Sequence, residues 1–165
     1  MASLKCPREL SEDQEAIYLS PRATKATDPF LALRQHPQAK DPFRTEFERD
    51  YTRIIHCRAF RRLRHKTQVF ISPKNDHLCT RLEHSLHVAS ISRTVSTALG
   101  LNKELVAAIA VGHDLGHAPF GHCGEACLRR LARRHGVRFA HELQSLRVID
   151  QLESPYASHR GLTAR

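Results

Sequence analysis

The sequence lacks both a long apolar run and a signal peptide. Hydrophobic residues make up 41% of its 165 residues, yet no stretch approaches the roughly 18 apolar residues of a membrane helix. The first residues do not show the charged and apolar regions of a secretory signal. These absences exclude a helical membrane protein. They predict a globular, cytoplasmic chain without a membrane partner, long enough for one core or for part of a larger one.

Cysteine is scarce as well. The five cysteines are odd in number and irregularly spaced, so we expect free thiols in a reducing cytoplasm and no disulfide framework. Cys123 and Cys127 lack the second cysteine pair of a structural zinc site, and we expect both to be buried in a core.

Acidic residues are outnumbered by basic ones, 17 to 26, which gives a formal net charge of +9. Such a balance favours polyanionic partners, either nucleic acid or the phosphates of a nucleotide. The arginines form two clusters, which are Arg58, Arg61, Arg62 and Arg64, and Arg129, Arg130, Arg133 and Arg134. We interpret the second cluster as a solvated helix face and the first as part of a functional surface.

The apolar spacing predicts an all-α fold with one short extended or hairpin segment at 66–71. Residues 1–40 carry several prolines without sustained periodicity and are expected to form a partly ordered arm, followed by a helical domain over 41–165. The second helix should end near Gly100, and Asn102 can cap the third. Helices are predicted over 44–64, 82–99, 102–111, 125–135 and 141–152.

One stretch, 111–125, is too rich in polar groups for simple packing. Its fifteen residues hold three histidines, two carboxylates and four glycines, at the carboxyl end of a predicted buried helix. We hypothesise a metal site with proton-transfer groups beside it. The alternative is a helix end with polar caps followed by a glycine loop.

A metal site here needs ligands from more than one element. His113 and Asp114 offer a mixed nitrogen and oxygen shell, which suits a divalent ion such as manganese, magnesium, iron or cobalt. His84 can supply a third ligand from the preceding helix, where Arg81 lies on the same face; alternatively, His84 is a helix-surface histidine. A zinc protease is excluded because Gly116 and Pro119 interrupt the helix that such a motif requires.

Several separated motifs carry a resemblance to a known family. RLEHSL at 81–86 and HDLGHAPFGHCGE at 113–125 resemble the HD-domain phosphohydrolases. More narrowly, the segments at 43–50, 59–70 and 141–148 resemble the deoxyguanosinetriphosphate triphosphohydrolase-like branch. The resemblance runs from about residue 16 to the last residue.

The resemblance implies a fold, a reaction and a set of residues. Members of the branch have an HD-domain helical bundle, are usually multimers, and hydrolyse a deoxynucleoside triphosphate to the deoxynucleoside and inorganic triphosphate. Their divalent metal would be held here by His84, His113 and Asp114, together with a distant downstream aspartate.

The same resemblance implies catalytic and substrate-binding residues. His122 and Glu125 would act as acid and base, with His117 beside the triphosphate. Arg81 would neutralise phosphate charge and Gln68 would lie beside the deoxyribose. The remaining residues implied for substrate binding are Arg53 and Lys66.

The chain departs from the family pattern in two respects. Four positions differ in residue type, which are Tyr51, Glu83, His87 and Glu142. No helix with the last metal-binding aspartate follows the His141 helix, and Asp150 is interpreted as a surface or capping group. We therefore expect the amino-terminal part of an HD domain, with weak metal binding and weak or absent activity.

Two other functions remain open from sequence. The first is a non-catalytic module that binds nucleotides or single-stranded nucleic acid through its basic face. The second is an HD-domain phosphohydrolase that acts on another phosphate ester, because HD domains share the histidine and aspartate but not the substrate.

Overall fold

The computed structural model describes residues 4–32, 34, 38–66 and 79–153, and these residues form an all-α fold without strands. This confirms the predicted fold class. Gln68 and residues 67–71 of the predicted extended segment lie outside the described residues. None of the described helices is long and apolar enough to cross a membrane. The helices are α1 (Pro7–Tyr18), α2 (Glu46–His56), α3 (Arg58–Arg62), α4 (Arg81–Ala98), α5 (Lys103–Gly112), α6 (Gly121–Arg134) and α7 (His141–Arg147).

Helix α5 lies at the centre of the fold and packs against both α2 and α4. It is the most apolar of the helices, and Val111 near its carboxyl end is fully buried. The core around it includes Ile54 of α2, Phe60 of α3 and Leu115 just beyond α5. Burial of these side chains holds the end of α5 in place.

Two helix ends follow the sequence prediction. Helix α4 ends at Ala98, and Gly100 adopts a left-handed conformation with φ +65°. The side-chain oxygen of Asn102 accepts hydrogen bonds from the backbone N–H groups of Glu104 and Leu105, at 3.1 and 3.2 Å. These two features confirm the predicted connection between the second and third helices.

The single helix predicted over 44–64 is wrong. Helix α2 ends at His56, Cys57 is extended with ψ 157°, and α3 begins at Arg58. The Cys57 thiol accepts from the Phe60 N–H at 3.3 Å, and the Glu153 carboxylate accepts from the Ala59 N–H at 2.8 Å. A distant carboxylate therefore caps α3, which local periodicity does not reveal.

The first 40 residues contain a helix, α1, that the sequence interpretation did not predict. Its start is capped because the Glu9 carboxylate accepts from the Cys6 N–H at 2.9 Å. Within the arm, the Glu15 carboxylate accepts from the Ala26 N–H at 2.7 Å, and it also accepts from the Asn102 side-chain amide at 2.8 Å. These contacts attach the arm to the start of α5.

Apolar spacing in the helix predicted over 141–152 places Leu143, Leu146, Val148 and Leu152 on an inward face, but most of these side chains are exposed. Within α7 and the π-helical turn Val148–Leu152 that continues it, Val148 is buried, whereas Leu143, Leu146 and Leu152 are half exposed. Cys123 and Cys127 on α6 are exposed free thiols, so the prediction that they are buried is wrong. In the part of the chain that the structure describes, these side chains of α6 and α7 are open to solvent.

Replacing Asn102 with alanine is expected to lower the free energy of unfolding by about 1 to 2 kcal/mol. The change removes the cap of α5 and the hydrogen bond to Glu15. Urea unfolding of both proteins measures the difference. Asn102→Ser keeps a capping oxygen but no amide donor, so it should recover most of the loss; equal loss in both variants would contradict a capping role.

Candidate metal and acid–base centre

Three potential metal ligands converge where α5 meets the start of α4. His84 lies in the first turn of α4, and His113 and Asp114 directly follow α5. The rings of His84 and His113 are 5.6 Å apart, and His113 Nε2 is 3.4 Å from Asp114 Oδ2. One donor atom from each residue lies within 4.8 Å of the other two. The structure thus brings together the three residues proposed from sequence.

The start of α4 is held by a capping box. The Thr80 side chain accepts from the Glu83 N–H, and the Glu83 carboxylate accepts from the Thr80 N–H. This pairing fixes the first turn, which carries Arg81 and His84. Glu83 departs from the family pattern, and its structural role is to cap this helix.

The hydrogen bonding of His113 leaves one ring nitrogen available to a metal. Nδ1 lies 2.7 Å from the carbonyl oxygen of Ala110. A carbonyl only accepts, so Nδ1 carries a proton, and Nε2, which faces Asp114, is the ring nitrogen that can bind a metal when the ring is neutral. His113 is therefore held in the tautomer of a metal ligand.

The electrostatics keep Asp114 ionised and His84 neutral. Burial acts to raise the pKa of Asp114, but the charge of His113 and the hydrogen bond from Arg81 outweigh it and leave the pKa below its ordinary value. Burial lowers the pKa of His84, and the nearby Asp114 only partly opposes this shift. Both residues are thus in the protonation states that bind metals.

The Arg81 guanidinium supplies a positive charge at this cluster. Its Nη1 donates to Asp114 Oδ2 at 2.9 Å, and both side chains are buried. The Nε of Arg81 is buried without a hydrogen-bond partner among the described residues. Two imidazoles and a carboxylate suit a divalent ion of the first transition row. When no such ion is bound, Arg81 neutralises the carboxylate of Asp114. The described residues therefore fit the metal that the sequence predicts.

A second polar cluster lies beside the first. His117, His122 and Glu125 each offer a donor atom within 4.8 Å of the other two. Helix α6 begins at Gly121, four residues before the predicted start, so His122 and Glu125 lie three residues apart on one face of the same helix. The ring of His117 is 6.1 Å from that of His122.

His141 joins this cluster, and no role was predicted for it although it opens the last motif of the family resemblance. Its Nδ1 lies 3.2 and 3.1 Å from the two carboxylate oxygens of Glu125. Its ring is 5.1 Å from that of His117. Its position at the start of a separate helix, sixteen residues after Glu125, hid this contact from local reasoning.

Glu125 is a buried carboxylate that remains ionised. Burial acts to raise its pKa, but hydrogen bonds from the side chain and the backbone N–H of His141 outweigh it and lower the pKa below its ordinary value. Arg129 also donates to Oε1 at 2.9 Å. Burial lowers the pKa of His117, so its imidazole is neutral near pH 7. The pair offers a proton acceptor beside a neutral imidazole.

Two side chains connect the clusters. The Ser145 hydroxyl accepts from the Gly116 N–H at 2.9 Å, and it lies 2.7 Å from the carbonyl oxygen of His113 and 2.9 Å from that of His141. Lys66 Nζ donates to the His117 carbonyl at 2.7 Å. Burial lowers the pKa of Lys66, and the charge of Arg62 lowers it further.

Replacing Gly116 with alanine is expected to destabilise the fold by about 3 kcal/mol or more. The added Cβ would lie 2.2 Å from the backbone nitrogen of Ser145 and 2.4 Å from the carbonyl carbon of Gln144. Thermal unfolding followed by circular dichroism measures the loss. In Gly136→Ala the Cβ would meet nothing within 4 Å, so this variant should lose only the roughly 1 to 2 kcal/mol of an alanine at φ +69°; equal losses in both variants would contradict the close packing at Gly116.

The other residues proposed from sequence have different surroundings. Arg53 on α2 lies 3.6 Å from Asp50 and also contacts Gln38. Burial lowers the pKa of Arg53 to about 10, and the charges of Arg34 and Arg49 contribute. Asp150 is exposed, as predicted for a surface group. All eight residues of the two arginine clusters are exposed.

Comparisons with known proteins show which proteins this chain resembles. The HD domain model matches residues 81–161. A deoxyguanosinetriphosphate triphosphohydrolase-like protein of Caldanaerobacter subterraneus subsp. tengcongensis is 52% identical over 147 residues, which cover 89% of this chain and 42% of the relative. One from Bordetella pertussis is 48% identical over 93% of this chain and 41% of the relative. The chain spans about two fifths of the length of these curated relatives.

Proposed function

This chain belongs to the HD-domain family and is similar over most of its length to deoxyguanosinetriphosphate triphosphohydrolase-like proteins, and from this premise we propose that it hydrolyses deoxynucleoside triphosphates. The products are the deoxynucleoside and inorganic triphosphate. One observation carries the proposal: a cluster with metal-ligand chemistry lies directly beside a buried, ionised glutamate surrounded by histidines. Hydrolysis at phosphorus needs both positive charge and a proton acceptor.

His84, His113 and Asp114 would hold the divalent ion. When bound, the ion supplies positive charge that offsets the charge of the phosphate oxygens. The tautomer of His113 and the ionised state of Asp114 prepare the cluster for this role.

Glu125 is proposed as the base that orients a water molecule and accepts its proton during attack on the α-phosphorus. Its carboxylate is ionised, buried and held by His141. His122 is proposed to deliver a proton to the departing 5′-oxygen of the deoxynucleoside, because it is exposed at the mouth of the cluster. His117 lies between these groups and the metal ligands, where it can contact the triphosphate.

Arg81 and Lys66 are proposed to bind phosphate oxygens. Arg81 is paired with Asp114 in this structure. With Asp114 holding a divalent ion, the Arg81 guanidinium would donate to the substrate instead. Lys66 already points into the same region through its bond to the His117 carbonyl. Gln68 at the deoxyribose and Arg53 at the substrate stay predictions of the family resemblance.

The reaction is tested by incubating the purified chain with deoxyguanosine triphosphate and manganese. Inorganic triphosphate, identified by ³¹P NMR, is the expected product, and His113→Ala should abolish it. His135→Ala, at the exposed end of α6, is the control and should retain turnover. Release of orthophosphate or pyrophosphate would instead indicate a different phosphohydrolase activity.

A second candidate function is the binding of single-stranded nucleic acid. The arginines of α6 are exposed along the end of that helix, as expected of a surface that meets a polyanion. Fluorescence anisotropy with a labelled oligonucleotide tests this function. Binding that survives Asp114→Asn and a chelator but weakens in Arg130→Ala and Arg133→Ala would favour it.

A further inference from the structure

Glu125 belongs to two overlapping groups of metal-ligand side chains. It is grouped with His117 and His122, and separately with His141 and Glu142. We propose that His117, His122, Glu125 and His141 form a second metal site, selective for zinc, copper and nickel and separate from the cluster at His113 and Asp114.

The spacing of the donor atoms supports this site. Ligands of a tetrahedral zinc ion at about 2.1 Å from the metal lie roughly 3.4 Å from one another. His141 Nδ1 and the Glu125 carboxylate are separated by 3.1 and 3.2 Å, close to that value. The donor atoms of His117, His122 and Glu125 lie within 4.8 Å. The rings of His117 and His141 are 5.1 Å apart, so the fourth ligand lies beside the other three.

The site is also preorganised. Nδ1 of His117 lies 2.9 Å from the carbonyl oxygen of Ala118, so Nδ1 carries the proton and Nε2 keeps its lone pair. His117 and Glu125 are buried, at 3% and 5% exposure. His141 is carried by α7, and Ser145 of the same helix attaches α7 to the turn at Gly116.

The charged side chains around Glu125 leave one of its two carboxylate oxygens available to an ion. Arg129 donates to Glu125 Oε1 at 2.9 Å, while Oε2 faces His141. The Glu142 carboxylate lies 3.6 Å from His141 Nε2 and adds negative charge at the rim. A bound ion would take the place of the contact between His141 Nδ1 and the Glu125 carboxylate.

The donor set determines which ions bind. Three imidazoles and one carboxylate favour zinc, copper and nickel, whereas magnesium prefers an all-oxygen shell. We therefore expect the second site to discriminate strongly against magnesium. A consequence, which rests on the proposed function, is that zinc inhibits hydrolysis by occupying the base and the proton donor.

Zinc titration of the full chain without substrate tests the site independently of any activity. Isothermal calorimetry should show two zinc equivalents for the wild type. A His113→Ala and Asp114→Asn double variant and a His122→Ala and His141→Ala double variant should each show one. Excess magnesium should not displace the zinc that remains in the first double variant, whereas displacement of that zinc would overturn the predicted selectivity.

Two further variants make the result decisive. His135→Ala should retain two equivalents, because this histidine is exposed outside both clusters. Glu125→Gln preserves side-chain volume and should weaken zinc binding at the second site at least about tenfold. The proposal is overturned if the variant without His113 and Asp114 binds no zinc, or if the variant without His122 and His141 still binds two ions. Circular dichroism verifies that each variant is folded.

Discussion

Replacing Asp114 with asparagine is expected to weaken manganese binding by more than about a hundredfold, because the change removes the charged ligand between His84 and His113. The amide keeps the volume of the side chain, so the surrounding core is preserved. Asp114 is buried at 2% exposure and accepts from Arg81. Calorimetric titration of the full chain with manganese measures the loss, and deoxynucleotide hydrolysis should fall with it.

The same variant has a defined effect on stability as a function of pH. Burial acts to raise the pKa of Asp114, yet His113 and Arg81 hold it below 3.8. A lowered folded-state pKa stabilises the fold at neutral pH, and that contribution is lost as the pH falls below 3.8 through the folded-state value. The stability difference between wild type and variant should therefore be largest at neutral pH and shrink in acid.

Asp150→Asn is the matched control for Asp114→Asn. Asp150 is an exposed aspartate on the last described turn. Manganese affinity and the pH dependence of unfolding should match those of the wild type. Equal loss of manganese affinity in both variants would show that the measured binding is nonspecific attraction to carboxylates.

Replacing Glu125 with glutamine is expected to lower the turnover number by about a hundredfold to ten-thousandfold, because the amide cannot accept a proton from water. Manganese affinity at the first cluster should change little, since Glu125 is not one of its donors. Steady-state kinetics with saturating deoxyguanosine triphosphate, together with manganese titration, separates the two effects.

Glu142→Gln tests whether the loss of turnover is specific to Glu125. Glu142 lies in the same cluster and contacts the same histidine, but its side chain is 70% exposed. Turnover in this variant should stay within a few-fold of the wild type. A similar drop in both variants, or a parallel loss of manganese affinity in Glu125→Gln, would contradict the assignment of a base.

Local sequence signals located α4, α5 and the residues of the first cluster. Apolar spacing predicted α4 and α5. The cap at Asn102 and the left-handed Gly100 were predictable because each acts within a few residues. His84, His113 and Asp114 converge because two adjacent helices pack directly against each other. Short-range chemistry was sufficient for these features.

Features that depend on distant contacts were not predictable in this way. The break between α2 and α3 is stabilised by Glu153, almost one hundred residues away. His141 reaches Glu125 only because α7 docks against the turn at Gly116. The exposed leucines of α7 have helical spacing, yet periodicity cannot say whether a neighbour covers them. Each of these features requires knowledge of tertiary packing.

The hydroxyl of Ser145 links the two clusters in a way that affects their dynamics. It holds the Gly116 N–H and the carbonyl oxygens of His113 and His141 in one small network. Opening α7 away from the fold must therefore break a contact to His113, a proposed metal ligand, and move His141 at the same time. Hydrogen–deuterium exchange at the single Gly116 amide would report this opening for both clusters.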